Sequence, residues 1–249
     1  MERSLRSARV LGLSIEIDRS WALGGLLVVL NLGAVFRAAH PEWPAGVAVV
    51  TALAGAVLLL GSTVAHELAH ALAASILGLR VHHIRLSLLG GISNLERAPC
   101  SPRTELLLGF AGPLTGVGMG LLLVLVASAM LPASDGDDVF AALSPPGLLL
   151  LWLGPANVLV ALFNLLPALP LDGGRVLRAL LWWLTGDVAT ATRGASIAGL
   201  AIGVVLVAAG IAVAVGVDVP PFGRGLGAGL WLAFLGAHLA SGARRSLVT

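Results

Sequence analysis

Nineteen consecutive residues, VAVVTALAGAVLLLGSTVA from Val47 to Ala65, carry no charge and run straight into HELAH, His66 to His70. About 20 apolar residues at ~1.5 Å rise cross the hydrocarbon core of a bilayer, so the run predicts a membrane-spanning helix. The apolar pattern continues past the motif through ALAASILG, which argues against HELAH as a solvated surface turn. Residues four apart share one helix face, so His66 and His70 can point at one ion. Glu67 lies about 100° further round, placed to reach a water on that ion. Ionisable groups at membrane depth are costly and rare unless paired or functional. Three within five residues give the pattern of two zinc ligands and a general base.

The rest of the chain fits such a helix. It is 57% hydrophobic and only 11% charged, with a mean hydropathy of +0.97, whereas a soluble domain is about 25% charged. The predicted fold class is an all-α polytopic membrane protein. Six transmembrane helices are expected over residues 21–38, 46–77, 105–131, 148–168, 196–216 and 225–241. A small membrane-associated β-hairpin or sheet on the cytosolic side is expected over 79–97, all within one domain, 1–249. In that hairpin Leu79, Val81 and His83 read as strand, and Gly90-Gly91 supplies the turn. Leu11, Leu13, Ile15 and Ile17 alternate with small or polar residues, predicting an N-terminal strand that joins it. That patterned lead-in, without a clear cleavage site, argues against a signal peptide. The loop from Pro132 to Pro146 is acidic, with Asp135, Asp137 and Asp138. RVLRALLWWLTGD, starting at Arg175, reads as an interfacial amphipathic helix with Arg175 and Arg178 on one side and Trp182 and Trp183 at headgroup depth. All 15 basic residues are arginine, and they are scattered, so no nucleic-acid partner is expected. The single cysteine, Cys100, excludes an intramolecular disulfide and a cysteine zinc cage.

Arginine counts in alternate segments total thirteen against two, so by the positive-inside rule both termini are cytosolic. HELAH then lies toward the cytosolic side of its helix, and Asp172 lies at a similar depth at the end of span four. A hydrolytic zinc site has three protein ligands and an open position. HELAH supplies two; His238, Asp187, Glu105 and Asp172 are candidates for the third. Asp172 is best placed, because Pro167, Pro170 and Gly173-Gly174 break the helix around it. The competing role for Asp172 is a helix N-cap.

HELAH on a membrane helix, together with NLLPALPLDGG from Asn164 to Gly174, resembles the site-2 protease family of intramembrane zinc metalloproteases. The family's signatures are H-E-x-x-H and a downstream N-x-x-P-x-x-P-x-D-G, and both are intact here. The resemblance also covers FAGP, Phe110–Pro113, and LGGIS, Leu89–Ser93. It implies one zinc per chain on His66, His70 and Asp172, with Glu67 as the catalytic glutamate. It also puts Asn164 near the substrate backbone or the oxyanion. An extended substrate could add as a strand to the hairpin at Gly90 and Gly91. The implied setting is a prokaryotic cell membrane, with the lipid bilayer and single-span membrane proteins as partners and a homodimer as one option. The branch most resembled often carries C-terminal CBS domains; this chain reaches Thr249 without them, so nucleotide regulation has no support in the sequence.

Two other classes compete. A divalent-cation transporter would use the same His, His and Asp at a broken helix, but it needs no Glu67 and should show a repeat. An inactive scaffold would not need the complete residue set.

Overall fold

The computed structural model describes residues 4–10, 13–18, 20–87, 90–95, 99–131, 143–220 and 223–248. The chain runs β1 (Ser4–Val10), β2 (Leu13–Asp18), α1 (Ser20–Ala39), α2 (Ala45–Ile76), β3 (Val81–Ser87), β4 (Gly90–Leu95), α3 (Pro102–Ala129), α4 (Pro145–Asn164), α5 (Asp172–Thr185), α6 (Val188–Ala214) and α7 (Leu226–Val248). Leu11, Leu89 and the acidic stretch of the 132–146 loop lie outside the described residues.

All the helices except α5 are long and apolar enough to cross a membrane. Their most apolar stretches are only 11–39% buried, and each of these helices carries large apolar side chains that are exposed. Leu30, Val50, Val57, Leu125 and Val205 are among those exposed. Such apolar surface on every span is stable only where lipid is the solvent. The chain is a mostly helical, multi-pass membrane protein. Thr51, Ser62 and Thr63 in α2 each donate to the carbonyl four residues earlier, at 2.8, 3.0 and 3.1 Å. Their hydroxyls are thereby satisfied without a partner from outside the helix.

Several boundaries differ from the sequence expectation, each for a local reason. The fifth span starts at Val188, eight residues early, because Asp187 caps it: its carboxylate accepts from the backbone N–H groups of Ala189 and Thr190. The sixth continues to Val248, since hydropathy falls at Arg244-Arg245 but helix geometry does not. The fourth stops at Asn164, short of the prolines.

The structure divides into two compact units. The first comprises Met1–Ala98 and Ala111–Leu162. It holds a four-stranded sheet in the order β1-β2-β3-β4, with β2 parallel to β3 and the other pairs antiparallel. Leu32 and Phe36 of α1, Ala52 of α2, and Leu143, Leu148 and Leu149 form its main apolar cluster. α3 and α4 interlock through Gly116, Gly120 and Gly154, where a Cβ would press on the opposite helix. Small residues permit this approach, and close packing is what joins helices when lipid is as apolar as the side chains.

The second unit comprises Pro99–Phe110 and Phe163–Thr249. α6 and α7 pack backbone to backbone at Gly203, Gly210, Gly229 and Gly236. The segment between α4 and α5 is irregular, with a cis Leu169-Pro170 peptide bond. Ala168 and Leu171 bury against Leu239, with Leu206 and Ile202 alongside. Leu169 lies against Gly199, and Pro170 lies against Gly242. Enclosure by protein is what makes non-helical backbone tolerable at membrane depth.

Candidate metal centre

His66, Glu67 and His70 are all buried, at 8%, 6% and 5% exposure. They stand at positions i, i+1 and i+4 of one unbroken helix, so their spacing follows from helix geometry alone. The Nε2 atoms of His66 and His70 are 3.2 Å apart, and the rings stand edge to face with centroids 4.9 Å apart. Two nitrogens bonded to one tetrahedral zinc at about 2.0–2.1 Å stand ~3.3 Å from each other. The pair therefore already has the separation that a shared ion requires.

Gly112 of α3 faces these nitrogens. A Cβ there would collide with Nε2 of both histidines, so glycine keeps open the space the rings point into. The glycines of GFAGPLTGVGMG, Gly109 to Gly120, have the small-residue spacing of close helix packing. For Gly116 and Gly120 packing is indeed the role, but Gly112 borders the histidines. Small-residue spacing does not separate the two cases, because only the tertiary neighbour differs.

Asp172 is the first residue of α5. The N-cap position is Leu171, so Asp172 lies one residue inside the helix. A carboxylate in the first turn also faces the positive end of the helix dipole. The preceding loop is closed by its own backbone: Leu166 N–H donates to Phe163, Leu171 to Ala168, and both Gly174 and Arg175 to Leu171. Gly173 and Gly174 are required by space. A Cβ at Gly173 would run into the carbonyls of Leu165 and Leu166, and one at Gly174 into the backbone of Ala168 and Leu169.

Among the described residues, His66, His70 and Asp172 are a group that could hold a metal ion, with one ligand atom from each within 4.8 Å of the others. Two imidazole nitrogens and one carboxylate oxygen are a donor set that suits zinc.

The other candidates for third ligand have other places. Glu105, 1% exposed, is bound by Arg178 through Nε at 2.6 Å and through Nη2. Arg178, expected on the polar side of an amphipathic helix, is thus held by a buried carboxylate. Trp183, by contrast, is well exposed on α5. Asp187 caps α6, and its hydrogen bond from Thr190, followed by that from Ala189, holds its carboxyl below the usual aspartate range. His238 lies half-buried in α7. Asn164 is the last residue of α4 and half-buried. Gly90 and Gly91 pair with Ser87 and Leu86 at the start of β4, which is an outer strand of the sheet.

A family model described as peptidase family M50 matches residues 54–144 and 136–210. Rip3 of Mycobacterium tuberculosis, named as a zinc metalloprotease, is 34% identical over 248 residues, 98% of this chain. A zinc metalloprotease of Methanocaldococcus jannaschii is 31% identical over 181 residues, 73% of this chain. The chain spans 58% of the length of the first relative and 46% of the second. Among solved structures, a site-2 protease from Methanocaldococcus jannaschii superposes with a TM-score of 0.63 and 25% identity, covering 98% of this chain and 95% of that one.

Proposed function

The chain belongs to peptidase family M50, and from that premise we propose that it is a zinc-dependent endopeptidase that cuts transmembrane segments of other membrane proteins. The observation that carries the reading is the buried His66–Glu67–His70 turn, with its two Nε2 atoms 3.2 Å apart. His66, His70 and Asp172 are the proposed ligands of one zinc ion per chain. Bound there, zinc would supply Lewis acidity toward a peptide carbonyl and an acidified water. Glu67 accepts the proton of the attacking water and delivers it to the leaving amine, a role that suits a carboxylate one residue from a ligand. Asn164 lies near the substrate backbone or the oxyanion, a role that rests on its motif position.

The substrates are single-span membrane proteins. A substrate helix hides its carbonyls in its own hydrogen bonds, so it must unwind before cleavage, and glycine or proline near the scissile bond eases this. The unwound strand adds to the sheet edge at Gly90 and Gly91. The arginine distribution supports placing that sheet and both termini on the cytosolic side of the membrane. Residues 1–249 act as one metalloprotease domain. A cation transporter is not favoured, since the relatives are named as metalloproteases.

The test is Glu67→Gln in full-length protein co-expressed with a single-span reporter substrate. Cleavage should fall by about 10²–10⁴-fold, with zinc content and thermal stability unchanged. Undiminished cleavage by a folded, zinc-loaded variant would refute the assignment.

A further inference from the structure

We infer that Glu105 and Arg178 form a positioning clamp that fixes the rotation of α5, and through it the direction of the Asp172 carboxylate. The inference rests on the reading of Asp172 as a zinc ligand and adds to it a pair of residues that touch neither zinc nor substrate. Glu105 and Arg178 are 73 residues apart in sequence, and two guanidinium nitrogens of Arg178 converge on the same oxygen, Oε1 of Glu105. The carboxylate side chain is 1% exposed and the arginine side chain 23%. A charge pair this enclosed is costly to leave half-made, so each partner holds the other in place.

The clamp has a second contact point four residues along α3. A Cβ at Gly109 would press on the Asp172 carbonyl oxygen at 3.2 Å and on the Val176 nitrogen at 3.4 Å. Glu105 and Gly109 share one face of α3. The glycine sets how close α5 comes at Asp172, and the ion pair sets how α5 is turned about its axis. Turning matters because Arg178 is six residues beyond Asp172, about 120° round the helix. With the carboxylate about 5–6 Å from the axis, a 20° rotation would move its oxygens by ~2 Å. Metal–ligand distances tolerate only about ±0.2 Å.

The experiment uses the full chain purified in detergent and compares Glu105→Gln, Arg178→Gln, the exchanged pair Glu105→Arg with Arg178→Glu, and Asp172→Asn. Zinc affinity is measured by chelator competition. Coordination is read from the visible absorption of the cobalt-substituted protein, and fold from thermal unfolding of the metal-free form. Each single clamp variant should lose at least tenfold in zinc affinity and change the cobalt spectrum, and the exchanged pair should recover most of both. Should a glutamine variant fail to fold, Arg178→Lys keeps the charge but not the two-nitrogen contact, and should show the same loss at smaller size. A purely structural pair would lower metal-free stability yet leave affinity within twofold and the spectrum unchanged, which would overturn the clamp. If Asp172→Asn itself keeps wild-type affinity, the ligand assignment fails first and the clamp falls with it.

Discussion

His66 and His70 lie inside an unbroken 32-residue helix, whereas Asp172 opens a helix after seven irregular residues, Leu165 to Leu171. The first segment orients its side chains by periodicity alone, with every backbone hydrogen bond made inside the helix. The second must close its own backbone through turns and be enclosed by α5, α6 and α7 to exist at membrane depth. A regular helix tolerates many sequences between its functional residues. An irregular junction is specified nearly atom by atom, and its glycines carry the specification.

The comparison is most easily broken at Gly173. Its absent Cβ is replaced by the carbonyls of Leu165 and Leu166, which are backbone and cannot swing aside. Gly173→Ala should cost at or above the top of the ~1–3 kcal/mol range for overpacking. It should also abolish zinc retention, as measured by metal content after detergent purification. The matching change in the other segment, Ala69→Gly between Glu67 and His70, should cost only about 1 kcal/mol, the helix penalty of glycine. If the two variants lose similar stability and zinc, the contrast between the segments is wrong.

Gly112 sharpens it further. Gly112→Ala puts a methyl group against both histidine Nε2 atoms, but the obstacle is a pair of side chains with some freedom to move. Zinc affinity should fall by about ten- to a hundredfold, while unfolding of the metal-free protein changes little. Loss of fold without a specific effect on zinc would mean that Gly112 serves packing alone.

The same contrast explains what could be read from the sequence. HELAH was legible because its meaning depends only on helix period, and LDGG because prolines and glycines mark a break in any context. The Glu105–Arg178 pair was not. Arg178 sits in a segment whose composition suits a membrane surface, and nothing local points to a carboxylate 73 residues away. Gly112 was hidden for a related reason: it is one glycine among several, and only its neighbours distinguish it. Span boundaries erred where hydropathy and helix geometry diverge. Polar Thr190 and Arg193 dilute the start of α6, although the Asp187 cap sets that start at Val188, two residues before Thr190.

That cap supports the smallest expected effect. Asp187 is exposed and accepts from Thr190 N–H at 2.8 Å and Ala189 N–H at 3.4 Å. These bonds favour its charged form and lower its pKa from the ordinary aspartate value. A carboxyl whose folded pKa is depressed contributes stability that is complete above its unfolded value, about 3.9, and is lost as pH falls through the folded value. Asp187→Ala should therefore unfold slightly more easily than wild type at neutral pH, by less than any change above, and the gap should narrow as the solution is acidified. Asp187→Asn keeps an acceptor for the same N–H groups, so at neutral pH it should lie between the other two. A gap that is constant across pH would mean that α6 gains from the aspartate nothing that depends on its charge.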